Sequence, residues 1–581
     1  MKKYLYMALF ATLLCACNED KFLEEKPLDF MSGGNSYSTK ADFDASIVEL
    51  YYLTRLEFFC NSDRSIDYLY GTDMMMGGGS LQSNLATDLD PTGSIAKEHW
   101  NKLYLLVSQS NVVLSRLANS SLTDEQKVKY EAKAKFFRGF AYRTLAYLYG
   151  GVPLELEEVT SPKTNYVRST KEQTLQQAID DVKFAAENLD NITAVKDGEI
   201  SAPAAYFLLS ELYLATNKNQ EAADAATQVI DNPALALMKN RFGSRTNESG
   251  DVYWDLFQRN NQNRASGNTE GIWVIQLEED VLGGGSNTSY YFWTSPGNYL
   301  LERHCAPQVQ LFRFNMPDGK QLIPFNWPIG DYTGGRGIGN MYAAPHFYTE
   351  VWQSDFKNDI RNSNYNFVRK IKFNNPDFIK KYRDTFGDSI DLMDPKLPAG
   401  VTMVAGLGSQ ATLPGRYLCG YQTKCTTPYN HPAAIVADAN THALKGTAGG
   451  TFVDQYMFRL AEAYLLRAEA YLKLNNKDKA AADINTVRSR AHASAVNAAD
   501  VDMNYILDER LRELGIEEKR RLTLSRTGEF YNRVKEYNPF YNASYTADKK
   551  DFQEKYTLYP IPQSVIEANK DAVLEQNPLY K

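Results

Sequence analysis

The feature that most constrains this fold is a stretch that occurs twice, far apart in the chain. Glu211-Leu212-Tyr213-Leu214 through Val229 matches Glu469-Ala470-Tyr471-Leu472 through Val487 at a constant separation of 258 residues. Asn217 and Asn475 correspond, as do the alanine pairs Ala222-Ala223 and Ala480-Ala481. In each copy a helical run ends in an Asn/Lys-rich turn and a second one begins with small residues. Small side chains there let two antiparallel helices approach closely. Two unrelated alanine-rich hairpins are the plain alternative, but matched turns and registers favour a true repeat. A hairpin of this kind cannot bury its apolar face alone, so both copies are expected in one helical scaffold.

The unit is similar to the tetratricopeptide hairpin. Other helical runs support the scaffold. One spans Ala41 to about Arg55. Another, Ile95 to Leu117, carries Trp100, Leu103, Tyr104, Val107 and Asn111 on one stripe. A third starts at Thr123, gains dipole support from Asp124 and Glu125, and stops at Gly150-Gly151 before Pro153. Between the two copies, the chain loses sustained helical period and is rich in Gly, Pro and Asn. The fold class expected is mainly α, a tetratricopeptide-like helical scaffold with a large irregular, loop-rich insertion bearing the ligand surface. The expected divisions are residues 1–16 as signal peptide, 17–40 as lipidated extended leader and 41–231 as N-terminal scaffold. Residues 232–450 then form the insertion, and 451–581 the C-terminal scaffold and tail.

The start of the chain speaks to location. Lys2 and Lys3 precede an apolar run, Tyr4 to Leu14, too short to span a bilayer but of signal-peptide size. It closes on Leu14-Cys15-Ala16-Cys17, similar to a bacterial lipobox, with Cys17 as the lipid-bearing first mature residue. Asn18-Glu19-Asp20 follows. The acidic pair resembles a surface-export signal of bacterial lipoproteins, and that resemblance implies an outer-membrane protein held to the membrane through its lipid anchor only and exposed at the cell surface. A net charge of −8 with no basic stripe argues against nucleic acid as a partner. Tyrosine is abundant, 38 residues against 28 Phe, which suits rings with one wet edge. Cys60, Cys305, Cys419 and Cys425 are too few for a disulfide framework. Cys419 and Cys425 are near enough in sequence to pair, or to remain two buried thiols.

Ordered blocks along the chain resemble the SusD/RagB family of Bacteroidetes outer-membrane nutrient-binding lipoproteins. The leader Phe22-Leu23-Glu24-Glu25-Lys26-Pro27 matches the family's start, and Trp100-x-x-Leu103-Tyr104 with Asn111 its first scaffold helix. Glu131 through Arg138 to Tyr142, and Tyr149-Gly150-Gly151-Val152-Pro153-Leu154, form the most recognisable block. Asp359-Ile360-Arg361, Phe458 through Ala470, Val487-Arg488-x-Arg490-Ala491, Asp508-Glu509-Arg510-x-x-Glu513-Leu514 and Tyr559-Pro560-Ile561-Pro562 continue it. Two places depart: Glu517 to Leu524 lacks the Gly, Trp and Asp expected near Arg520, and Pro578-Leu579-Tyr580 replaces Pro-Gly-Tyr. The resemblance implies a surface protein that binds an oligosaccharide or polysaccharide and hands it to a TonB-dependent, SusC-like transporter. A peptide-binding member is the alternative, and a glycan-degrading enzyme a more distant one.

A glycan binder needs exposed flat rings beside polar groups, since sugar C–H faces pack on aromatics and hydroxyls need partners. Tyr290-Tyr291-Phe292-Trp293 with Tyr299, and Phe325-Asn326-Trp327 with Asp331 and Tyr332, fit that need. Trp293, Trp327, Tyr291 and Tyr332 are the candidate ligand contacts, though alternating strand packing explains such rings as well. The loop from Asp73 to Gly79 is a second candidate wall, through Asp73. No catalytic residue is assigned. The six histidines show no metal-ligand spacing, and no nucleophile elbow or phosphate loop appears. Gly335-Arg336-Gly337-Ile338-Gly339 only imitates a nucleotide fingerprint. A paired-carboxylate glycosidase stays open, because such pairs meet only in the fold. No cofactor or metal is expected beyond a structural calcium at an unassigned site. Arg138, Glu462, Arg467, Glu469 and Arg510 read as ion pairs between helices, and Lys519-Arg520-Arg521 as a solvated helix end.

Overall fold

Three long helices open with the same device. Thr39, Thr123 and Thr170 each accept the backbone N–H three residues on. Asp42, Gln126 and Gln173 at those third positions accept the threonine's own N–H in return. Such reciprocal caps satisfy donors that a helix start leaves unpaired. They begin α1 (Lys40–Phe58), α3 (Asp124–Tyr149) and α4 (Lys171–Asn188), while α2 (Ser94–Leu117) starts after Gly93. The structure is a computed structural model. It describes residues 39–60, 65–77, 89–279, 299–405, 415–541 and 552–580, with the single residues 37, 85 and 281. Cys17 and nearly all of the leader lie outside the described residues.

The repeat forms two matching hairpins. The first is α5 (Ala202–Ala215) with α6 (Asn219–Ile230), the second α7 (Leu460–Lys473) with α8 (Lys477–Arg490). Both turn through a left-handed asparagine: Asn217 and Asn475 each have φ of 57°. That conformation costs most L-residues roughly 1–2 kcal/mol, and asparagine is among the few that tolerate it. The alanines Ala222, Ala223, Ala480 and Ala481 are buried at the helix contacts. Helices α2 to α8 pack each on the next, and α6 lies against α7. The insertion is therefore spliced between two neighbours of one stack. Arg467 on α7 donates to Thr227 Oγ1 on α6 across the join, at 3.1 Å.

Strand Gly271–Ile275 pairs antiparallel with Gln455–Arg459, which leads directly into α7. This pair ties the two ends of the insertion together at the scaffold. Trp273, 1% exposed, sits there with ring centroids 5.4 to 5.5 Å from Phe136, Phe140 and Phe458. Beyond it the insertion is built of short strands, such as Phe312–Asn315 between Gln321–Leu322 and Thr402–Ala405. Strand Met75–Gly77 joins Met341–Ala343, so the N-terminal loop is also bound to the insertion.

A seam of buried charge fixes the irregular part to α8 and α9 (Met503–Glu513). Arg361, fully buried, reaches Asp359 at 2.7 Å, Glu509 at 2.8 Å and Glu513 at 2.9 Å. Arg459 binds Glu270 at 2.7 Å and Glu513 at 2.6 Å, and Arg490 binds the same two carboxylates. Burial opposes the charge on Glu513, yet Arg490, Arg459 and Arg361 together hold its carboxyl well below the usual range. The expected scaffold pairs also form: Arg138 with Asp181 at 2.7 Å, Arg467 with Asp483 at 2.8 Å, Glu469 with Arg526 at 2.7 Å, and Arg510 with Glu462.

One reading of the sequence is corrected, an open one is decided, and a third gains its physical reason. Lys519-Arg520-Arg521 is not solvated: Arg520 and Arg521 are 0% and 2% exposed at the start of α10 (Arg520–Thr527). Arg520 bonds Glu518 and Asp73, and Arg521 stacks between Phe530 and Tyr559. Cys419 and Cys425 are separate buried thiols. The Gly335–Gly339 loop holds no phosphate cradle. A Cβ at Gly335, Gly337 or Gly339 would meet Glu302, Ala306 or Arg416 at 2.2 Å, so glycine is needed for close packing.

Candidate functional site

Backbone pairing brings the segment around Trp327 beside the hairpin Val436–Asp438/Ala443–Leu444. Leu444 N–H donates to Ile329 O at 2.9 Å, and Asp331 N–H to His442 O at 2.9 Å. Asn374 clamps the tryptophan from both flanks. Its Nδ2 donates to Asn326 O and Pro328 O, each at 3.1 Å, and its Oδ1 accepts from Asn326 N at 3.0 Å. The backbone is thus held while the indole stands out, 47% exposed. Arg336 places its guanidinium 5.5 Å from the ring centroid.

Tyr332 continues the surface. Its half-buried ring stacks on Tyr429 at 5.5 Å and 17°. Gly330 makes room for it, because a Cβ there would lie 2.5 Å from the Tyr332 ring. Tyr429 is 42% exposed and meets the edge of His442 at 4.8 Å. Both residues hold left-handed backbone, with φ of 61° and 54°. Left-handed backbone at two non-glycine residues in ring contact persists only where the surrounding structure holds it. Lys372 Nζ stands 6.0 Å from the centre of the Tyr429 ring.

Behind the rings lies an ionic brace. His431 is 3% exposed, with Nε2 2.6 Å from Glu302 and Nδ1 3.5 Å from Asp331. His442 Nδ1 is 3.8 Å from the same Asp331 oxygen. Burial works against a charged His431, but Glu302 and Asp331 outweigh it and raise its pKa to about 10. The brace couples the loops that carry Tyr332, Tyr429 and His442.

Of the sequence candidates, Trp327 and Tyr332 are brought together here. Tyr291 and Trp293 lie outside the described residues. Asp73 is not a wall of any surface: it is fully buried, with Oδ1 and Oδ2 2.8 and 2.6 Å from Arg520 and Oδ2 2.6 Å from Arg533. Burial opposes its charge, and the two arginines hold its carboxyl well below the carboxylate range. Tyr299 and Phe325 are buried too, Tyr299 against Phe59. Tyr429, His442, His431, Lys372 and Asn374 escaped the sequence reading. They come from three separate stretches, and only strand pairing sets them around Trp327.

Enclosed space lies elsewhere. A cavity of about 270 Å³ on the helical half is lined by Trp100, Tyr104, Asn111, Tyr166 and Leu574. Its polar groups are already engaged, Tyr104 with Pro153 O and Asn111 with Glu155 O and Glu157 O. Among the described residues no group of three His, Cys, Asp or Glu side chains is placed to hold a metal ion. No described helix is long and apolar enough to cross a membrane.

Two family models match the chain. The model described as "SusD family" matches residues 269–580, and the one described as "Starch-binding associating with outer membrane" matches residues 21–214. SusD-like protein P25 of Formosa agariphila is 21% identical over 554 residues, 90% of this chain and 89% of the relative. Starch-binding protein SusD of Bacteroides thetaiotaomicron is 35% identical over 125 residues, 22% of this chain and 21% of its own. A laminarin-binding SusD-like protein has a similar structure, with a TM-score of 0.62 at 20% identity, covering 93% of this chain and all of the other. Surface glycan-binding protein A of Bacteroides thetaiotaomicron, solved with laminarihexaose, gives a TM-score of 0.60 at 17% identity over 93% of this chain.

Proposed function

The chain belongs to the SusD family, and from that membership we propose that it binds a glycan at the Trp327–Tyr332–Tyr429 surface. The observation that carries this reading is the indole of Trp327, nearly half exposed on a segment clamped by Asn374. A segment held in this way needs little backbone ordering when a sugar face packs on the ring. Tyr429 and His442 offer a second flat surface and polar edges within the same pairing of strands. The surface is open rather than enclosed, which suits internal units of a polymer. Affinity at such a wet site is expected between millimolar and micromolar, or roughly −4 to −8 kcal/mol.

The binding involves no chemical step. Glu302 and Asp331, the acids of the brace behind the rings, are buried and both face His431. The chain is anchored by lipid at Cys17, sits on the outer face of the outer membrane, and passes its glycan to a TonB-dependent, SusC-like transporter. Tethering over the transporter raises the effective concentration of a weakly held ligand without added contacts.

Calorimetry with the mature lipidated chain in detergent tests the reading, using laminarihexaose and a panel of other oligosaccharides and peptides. Saturable glycan binding without cleavage, weakened by Trp327→Ala, is the expected outcome. Stacking that removes about 60 Å² of ring surface from water contributes roughly 1.5 kcal/mol, or about tenfold in Kd. Binding of peptides alone, or glycan binding indifferent to Trp327→Ala, overturns it.

A further inference from the structure

We propose that the cavity on the helical half is the seat of this chain's own leader, and that it takes the apolar pair Phe22-Leu23. The cavity, about 270 Å³, has Trp100, Tyr104, Tyr166, Val565 and Leu574 in its lining. It is smaller than the roughly 300–1,000 Å³ of a cleft built for a whole small ligand. Tyr104 Oη donates to Pro153 O, and Asn111 Nδ2 to Glu155 O and Glu157 O. With those groups engaged on backbone, the wall that remains is dominated by rings and aliphatic groups. Such a wall suits an apolar side chain, which leaves no polar atom unpaired on entering.

The mouth of the cavity lies at the surface, where its lining residue Val159 is 45% exposed. Leu105, Val167 and Val573, each next in sequence to a lining residue, are exposed too. Single exposed apolar side chains are ordinary, but several gathered by one apolar opening mark a surface that is covered in use. The described chain shows which segment is at hand. Tyr37 closes the leader, and its hydroxyl accepts from Gln109 Nε2 on α2 at 2.9 Å. Gln109 follows Ser108, which lines the cavity. Arg116, which interacts with Tyr37, pairs with Glu158 at 2.7 Å, beside Val159. The leader thus joins the fold against the helix and the loop that frame the cavity. Leu23 precedes Tyr37 by 14 residues, a reach of up to about 46 Å, so length is no obstacle.

In the leader, Phe22-Leu23 stands between Asp20-Lys21 and Glu24-Glu25. Two large apolar side chains in so charged a setting gain most from a dry seat. Cys17 lies five residues before Phe22, at most about 17 Å of chain. With lipid on Cys17, the seated pair holds the cavity side of the helical half that close to the membrane. The leader then acts as an arm of set length that fixes how the molecule stands on its anchor.

The test uses the mature lipidated chain in detergent. Glu-C protease cuts after Glu24 and Glu25, next to the seated pair, and its rate reads how often the segment leaves its seat. Leu23→Asp is expected to speed cleavage about tenfold. Val159→Asp, at the exposed mouth, should do the same with an unchanged urea midpoint. Met31→Asp, in the leader but outside the seated pair, should change the rate less than about twofold. A cysteine pair then fixes the place. Leu23→Cys with Val159→Cys should form a disulfide within one chain under mild oxidant, whereas Leu23→Cys with Val48→Cys, exposed on α1, should not. Cys60, Cys305, Cys419 and Cys425 are buried and do not compete. Cleavage indifferent to Val159→Asp, or equal cross-linking to Val48→Cys, overturns the proposal. Release by Met31→Asp but not by Leu23→Asp overturns the assignment to Phe22-Leu23. Cross-links between two chains, with protection that fades on dilution, give the cavity to the leader of a second copy and overturn docking within one chain.

Discussion

Replacing Asp73 by asparagine tests whether this residue supports the fold or faces a ligand. The carboxylate joins the loop before strand Met75–Gly77 to α10 through Arg520, and to α11 (Phe530–Tyr537) through Arg533. Asparagine keeps the size, but it removes the charge and turns an amide N–H₂ toward a guanidinium that can only donate. Breaking a buried ion pair from one side costs about 3–5 kcal/mol. Here Arg520 keeps Glu518 at 2.9 Å and Arg533 keeps Asp508 at 2.5 Å, so the lower end applies, about 3 kcal/mol. Urea unfolding followed by tryptophan fluorescence reads the effect as a lower midpoint, with glycan titration run in parallel. The cost should shrink in an Arg533→Met background, since the charge left uncompensated is then smaller. An unchanged midpoint with weakened glycan binding would refute the reasoning and return Asp73 to the ligand surface.

Three further outcomes follow from the same structure. Trp273→Ala, which empties the contact of four aromatic neighbours at the join of insertion and scaffold, should cost about 3–5 kcal/mol by chemical denaturation. A cost under about 1 kcal/mol would mean that the join is not a shared core. At the repeat turns, Asn217→Ala and Asn475→Ala should each cost about 1 kcal/mol while the glycine variants are neutral or better, because φ is positive at both. Different signs at the two sites would deny the equivalence of the hairpins. His431 has its pKa raised to about 10 against an ordinary 6.5, so its contribution is full below pH 6.5 and is lost as pH rises through about 10. Melting temperature should therefore fall over that range more steeply in the parent than in His431→Gln. Parallel slopes would show that the brace is not ionic.

What was legible in the sequence depended on whether a local pattern caused the structure. The hairpins were legible because Asn217 and Asn475 mark turns that few other residues adopt, and the alanine pairs mark close contacts; both are local causes. The expected interhelical pairs of Arg138, Arg467 and Glu469 followed from the same blocks. Lys519-Arg520-Arg521 misled because a run of cations is normally solvated, and its partner Asp73 lies in a loop near the other end of the chain. Asp73 misled for the mirror reason: a polar residue among glycines and methionines reads as exposed until its arginines are known. The ring surface sits between these cases. Trp327 and Tyr332 were legible as aromatics in a loop-rich stretch, but not Tyr429 or His442, whose positive φ has no signature in Tyr429-Asn430-His431 or Thr441-His442. Asp331 donates its N–H to His442 O, stands beside the His442 ring and pairs with His431, two residues on from Tyr429. The burial of Asp331 thus aligns exposed rings that no single stretch encodes.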